Sequence, residues 1–185
     1  MARISLDPPR TLFVRLTDWY SRRTYGTVLD PARAVAHNPR VLISQARFER
    51  SLAKWNKLDP ELTALAVMAS AASIGCSWCM DFGYWESRQH GMDHRKLHDV
   101  PVWRDSDVHT PLERDVMAYA EAVTATPPTV DDAMVKRLHE HLNEAQIVEL
   151  TAMIAVENLR SRVNAALGLT SQGFKDRCDV PQPLG

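Results

Sequence analysis

Cys76 and Cys79 stand three positions apart in the stretch SIGCSWCMDFGYWE, residues 73–86. Cysteines at i and i+3 leave three chemistries open. They can cycle between dithiol and disulfide, supply half of a metal site, or pack inertly in a core. On a helix, positions i and i+3 are neighbours, roughly 5–6 Å apart at Cβ. A disulfide asks for about 3.5–4.5 Å, so a small adjustment closes the bond. Gly75 ends the apolar segment before the pair, and Cys76 opens the next helix. The partial positive charge and free N–H groups of a helix N-terminus favour thiolate. Thiolate is the form that attacks a disulfide or a peroxide. On this argument Cys76 is the more acidic thiol. Trp78, between the two, offers an apolar shelf for a substrate.

The competing chemistries are weaker. Structural zinc usually takes four ligands, often as two paired clusters. The nearest partners are His90, His94, His98 and Cys178. His94 and His98 share a helix face, but they are equally at home as solvated residues beside Arg95 and Lys96. There is no second CxxC and no HExxH, so neither a metal nor another cofactor is expected. Inert burial remains open, because cysteine is among the most buried residue types. A thiol reaction also needs a proton acceptor, and the nearby titratable groups are Asp81, Glu86, Glu61 and His90. Asp81 is near in sequence and equally suited to face solvent. Glu86 lies two helical turns beyond Cys79, about 10 Å along the axis. Glu61 reads as a first-turn partner of its own helix dipole. Trp78, Phe82, Tyr84 and Trp85 gather aromatic surface around the pair, as a pocket for an apolar hydroperoxide or as core. Cys178 sits on a proline-flanked tail and reads as a bystander.

The elements that must hold these residues are helices. Asn38-Pro39, Asp59-Pro60-Glu61 and Thr110-Pro111-Leu112-Glu113 each place a capping side chain before a proline whose missing N–H costs nothing there. Thr110 with Glu113 fits a capping box. Thr129 with Asp132, and Asn143 with Glu144, start two more helices. The spacing predicts helices at about 39–55, 60–74, 76–89, 94–99, 111–125, 130–141 and 144–167. One more is expected within 11–35, and a loop over Val100–Val108 that contains Trp103. No useful length of sequence alternates as a strand would, so the fold class is all-α, with about seven to eight helices. The helix at 60–74 is apolar nearly all round, which marks it as central. The stripe on 144–167 is wide enough to meet a second subunit as well as a core. The expected organisation is an N-terminal helical extension over 1–37, a helical domain over 38–170, and an extended tail over 171–185.

The 185 residues suffice for one domain. A net charge of −1, with 24% charged residues, provides no electrostatic footprint for nucleic acid. The longest apolar run, 65–75, is too short to span a bilayer, so no membrane partner is expected. Three cysteines and no signal-peptide pattern in the first twenty residues point to the cytoplasm.

Gly-Cys-x-x-Cys-x-Asp after a long apolar helix resembles the carboxymuconolactone decarboxylase family, and within it the alkylhydroperoxidase D-like proteins. The resemblance covers about residues 38–168. It is carried by LDPELTALAVMASAASIGCSWCMDFG and by the last helix, LTAMIAVENLRSRVNAALGL, with its Asn158, Arg162 and Asn164. It implies a helical domain assembled as dimers, trimers or hexamers. It also implies a thiol-dependent hydroperoxide reductase or disulfide oxidoreductase, of antioxidant type, fed by a thiol reductant or a small redox protein. Carried over, Cys79 attacks the peroxide and Cys76 resolves it, the reverse of the order that the helix dipole favours. Three family positions are altered. The catalytic His is Gly83, the catalytic Glu is Ala64, and the Tyr before the second cysteine is Trp78. These losses motivate a second expectation, a binding or structural oligomer that kept the fold without the catalysis. A third, a lactone decarboxylase, would need Arg160 or Arg162 to hold a carboxylate, and the intact CxxC argues against it.

Overall fold

The computed structural model describes residues 2–178. Among these the chain is all-helical, with nine α-helices, two short 3-10 turns and no strand. The order is α1 (Leu12–Tyr25), α2 (Asp30–Val35), α3 (Pro39–Leu52), α4 (Pro60–Ile74), α5 (Ser77–Gln89), α6 (His94–Asp99), α7 (Pro111–Thr124), α8 (Asp132–His139) and α9 (Glu144–Leu167).

Capping chemistry sets most of these ends. Asn38, Asp59, Thr110 and Asn143 each accept backbone N–H groups of the first turn they precede. Thr110 with Glu113 and Asn143 with Gln146 close reciprocal capping boxes. Two details differ from the sequence reading. Residues 11–35 hold two helices, because Gly26 takes a left-handed φ of 73° that ends α1, and the Ser21 hydroxyl braces the turn against Thr27 and Leu29. The start of α8 is capped by Asp131, whose side chain accepts from the Met134 N–H.

The core is built around α4. Leu65, Ala66, Ser70 and Ala71 are fully buried, and α7, α9 and α5 pack on three sides of the helix. A helix enclosed in this way is expected to be apolar nearly all round, as α4 is, and its buried Ser70 donates its hydroxyl to the Ala66 carbonyl. Its small residues let the neighbours approach closely. At its far end the Glu149 carboxylate, on α9, accepts the backbone N–H groups of Lys57 and Leu58, which pins the loop before α4. The loop over 100–108 is more ordered than its sequence suggests. Trp103 is buried there and donates its indole N–H to Glu121 at 2.9 Å.

The sequence also has the segment after Gln172 extended. As far as Cys178 it is folded onto α5, because Phe174 finds a site where it is wholly buried. Pro181 and Pro183 lie outside the described residues. No helix among the described residues is long and apolar enough to cross a membrane.

Candidate active site

The junction between α4 and α5 positions the cysteines. Gly75 ends α4 at φ 79°, a left-handed conformation that side chains disfavour. The chain turns, and Cys76 becomes the N-cap of α5, its sulfur accepting the Cys79 backbone N–H at 3.2 Å. The two are joined as a disulfide with Cα atoms 5.3 Å apart. Both are buried, yet they face different surroundings.

Cys76 lies in the wall of a cavity of about 530 Å³. Met68, Met80, Tyr84 and Leu97 form its apolar side, and Ser171, Lys175 and Asp176 of the C-terminal segment form much of its polar rim. Asp81 holds that segment in place. Its carboxylate accepts the backbone N–H groups of Gln172 (2.8 Å), Phe174 (3.0 Å) and Lys175 (2.8 Å). Burial alone would raise the Asp81 pKa. The N–H groups of Lys175, Phe174 and Gln172, with the Ser171 side chain, outweigh burial and hold it below its ordinary value. Gln172 extends the clasp: its carbonyl oxygen accepts from the Trp78 indole and the Asp30 N–H, and its amide donates to Val28.

Cys79 looks the other way, onto α9. The Ser161 hydroxyl lies 3.2 Å from its sulfur and the Asn164 amide donates at 3.4 Å. Ser161 also reaches the Glu157 carboxylate at 2.6 Å, one helical turn back. Ser161 has no exposed surface and Glu157 is 3% exposed. Burial pushes the Glu157 pKa up to about 7, against the pull of the Ser161 hydroxyl and of Arg160. The Arg160 guanidinium stands 3.6 Å from Glu157 but is also paired with Glu49 of α3, so Glu157 has only a share of it.

The residues named from the sequence are placed as follows. Asp81 is the clasp of the C-terminal segment and also borders the cavity. Glu86 joins the group around Arg160. It is exposed, yet surrounding atoms crowd it enough that lost hydration raises its pKa, while Arg160 and His90 pull it down. His90 is the exposed C-cap of α5. Glu61 shares Lys96 with Glu113, at 2.9 and 2.7 Å. Tyr84 lines the cavity. Trp78, Phe82 and Trp85 pack around Phe174, with Phe82 stacked on Trp78 at 5.0 Å and edge-on to Phe174 at 5.2 Å. Cys178 is half-buried against the main core. Among the described residues no three His, Cys, Asp or Glu side chains converge in a way that could hold a metal ion.

Glu157 and Ser161 are the site residues that the sequence reading missed. A signal was present: Glu157, Ser161 and Asn164 interrupt the apolar face of α9 at i, i+4 and i+7, the spacing of one helix stripe.

An all-α core with a CxxC at the start of the helix after its central helix defines a class of proteins. The profile of the carboxymuconolactone decarboxylase family matches residues 39–122. The uncharacterized protein YnjA of Escherichia coli is 35% identical over 172 residues, covering 92% of this chain and 93% of its own. The chain belongs to the carboxymuconolactone decarboxylase family. Its fold is that of the alkylhydroperoxidase D-like proteins: an uncharacterized peroxidase-related protein from Ralstonia eutropha with an alkylhydroperoxidase AhpD core superposes with a TM-score of 0.83, at 20% identity over 98% of both chains. The debrominase Bmp8, crystallised as a variant with 2,3,4-tribromopyrrole, has a TM-score of 0.81 at 17% identity, over 96% of this chain and 97% of its own.

Proposed function

We propose that the protein is a thiol–disulfide enzyme in which the Cys76–Cys79 pair reduces a hydroperoxide or a disulfide and is restored by a thiol reductant. The observation that carries this reading is the two-sided setting of the pair. One cysteine borders a cavity large enough for an organic substrate, and the sulfur of the other meets a hydroxyl that is itself hydrogen-bonded to a carboxylate. Inert core cysteines need neither. The family's His and Glu positions are Gly83 and Ala64, but α9 supplies an acid one hydroxyl away from the Cys79 sulfur.

The same setting favours Cys76 as the attacking thiol. It borders the cavity and caps the N-terminus of α5, where a thiolate is stabilised. Cys79 is then the resolving thiol, the reverse of the order that the family resemblance implies. Tyr84, with Met68 and Met80, would hold the apolar body of the substrate.

The protein would act in the cytoplasm as a homo-oligomer, alongside a small redox partner. Exposed apolar side chains support the oligomer: Leu12, Leu16, Trp19 and Tyr20 on α1, Phe48 on α3 and Leu159 on α9.

The test is turnover of cumene hydroperoxide and of an aromatic disulfide by purified protein with dithiothreitol as reductant. Turnover that disappears in Cys76→Ser supports the proposal. Turnover no faster than that of the Cys76→Ser protein overturns it.

A further inference from the structure

We propose that Ser161 and Glu157 are the proton path of Cys79: the Ser161 hydroxyl passes the Cys79 thiol proton to the Glu157 carboxylate as the disulfide forms, and returns it as the disulfide opens. The inference rests on the thiol–disulfide reading above and names groups on α9 that this reading does not require.

The geometry is that of a relay. A hydroxyl has one hydrogen and two lone pairs. Ser161 therefore donates to one neighbour and accepts from the other, and its neighbours are the Cys79 sulfur at 3.2 Å and Glu157 at 2.6 Å. With Glu157 ionised, the chain runs from the Cys79 thiol to Ser161 to the carboxylate. With Glu157 protonated, every bond reverses, and Ser161 donates to the sulfur. Asn164 donates to the same sulfur and supports the negative charge it carries in between. Ser161 is wholly buried, which favours the side-chain path over bulk water. Asp81, the other buried acid beside the pair, has its oxygens occupied by three backbone N–H groups.

The steps balance. The Cys76 thiolate attacks the outer oxygen of a hydroperoxide; the O–O bond breaks, and the alcohol leaves after taking a proton from solvent. Cys76 is then a sulfenic acid. The Cys79 sulfur attacks it, the S–S bond forms and the S–O bond breaks. Hydroxide leaves and takes up a solvent proton to become water, while the Cys79 proton moves through Ser161 to Glu157. Two electrons pass from the sulfurs to the peroxide. In the return half, one thiolate of a dithiol reductant attacks Cys76. Cys79 departs and recovers its proton from Glu157. The second reductant thiolate then releases Cys76 and closes the reductant's own disulfide.

An acid that both gives and takes a proton works best when its pKa lies near the working pH, and burial has moved Glu157 toward that range. The charged groups that act on it are Arg160 on its own helix and Glu49 on α3, and Arg160 in turn feels Glu86 of α5. Arg160 holds the titration down and Glu49 pushes it up.

The test uses Cys76→Ser protein, in which Cys79 is the one remaining thiol of the pair. Its modification by methyl methanethiosulfonate is followed from pH 5 to 10, with mass mapping to separate it from Cys178. The expected profile has a step near pH 7 besides the titration of the thiol itself. Glu157→Gln and Ser161→Ala should each remove the step and slow modification near neutrality roughly tenfold or more. Ser161→Thr, which keeps a hydroxyl, should restore both. A step that survives both substitutions overturns the proposal, as does a Cys79 that stays inert over the whole range. Wild-type turnover is measured separately. Turnover without the step rejects the path and keeps the function; the step without turnover does the reverse.

Discussion

Asp81 and Glu157 flank one disulfide, both are nearly buried, and the fold drives them in opposite directions. Asp81 is surrounded by backbone N–H groups that need an anion, so its pKa falls. Glu157 has a hydroxyl and a guanidinium shared with another carboxylate, so desolvation wins and its pKa rises. The difference lies in the donors as well as in how tightly each carboxylate is enclosed. Three fixed amides compensate a buried charge, whereas one hydroxyl and a divided cation do not. The two acids suit different work: Asp81 fixes the wall of the cavity beside Cys76, and Glu157 exchanges a proton beside Cys79.

The largest expected effect breaks the comparison at the sulfurs themselves. Either Cys76→Ser or Cys79→Ser should reduce turnover to background. Of the two single variants, Cys79→Ser should form its mixed disulfide with thionitrobenzoate the faster near neutral pH, seen by mass at Cys76. A faster reaction at Cys79 in the Cys76→Ser protein would restore the family order of attack.

Asp81→Ala comes next. It strips three amides of a charged acceptor, at about 1.5–3 kcal/mol for the group as a whole. Thermal unfolding should show a Tm lower by roughly 5–10 °C, and Cys76 of the reduced protein should be modified faster as the segment beside it loosens. An unchanged Tm would mean that Phe174 alone seats the segment.

The pH dependences should have opposite signs. The depressed pKa of Asp81 contributes stability above the ordinary aspartate range, and this is lost as pH falls through the folded-state value. Glu157 behaves in reverse. Its folded form binds the proton more tightly, so stability falls as pH rises from about 4.5 to about 7, by roughly 3 kcal/mol in total. Glu157→Gln should therefore raise stability above pH 7 by up to that amount and leave it little changed near pH 4.5. Urea unfolding at pH 5 and pH 8 checks this, and an equal difference at both would remove the case for a buried acid titrating near neutrality.

The smallest effect sharpens the account of Arg160. Glu49→Gln removes a like charge and frees the guanidinium for Glu157. The Glu157 midpoint, read from the pH profile of stability, should move down by about one unit or less. An upward move would contradict the sharing.

The helices were legible because their causes are local. A polar cap, a proline at the first position and a glycine beyond the last turn act within a few residues, and they place α3, α4, α7 and α9 to within a few positions. The fully apolar face of α4 marks its central position without any knowledge of its neighbours. Where two local signals competed, at 11–35 and at the start of α8, a single turn decided and the reading slipped. Phe174 shows the limit more plainly. Nothing near it in sequence says that α5 offers it a buried site, so the segment around it reads as extended.

By itself, the sequence determined the helical fold class, the central helix, and a cysteine pair at the mouth of a helix, since each follows from spacing along the chain. The tertiary structure alone decided which cysteine borders the cavity, why Asp81 is committed to backbone amides, and that the acid nearest Cys79 comes from α9, 78 positions further along the chain. Proton transfer acts across a few ångströms of space, and the fold brings those ångströms together from segments that local propensity cannot relate.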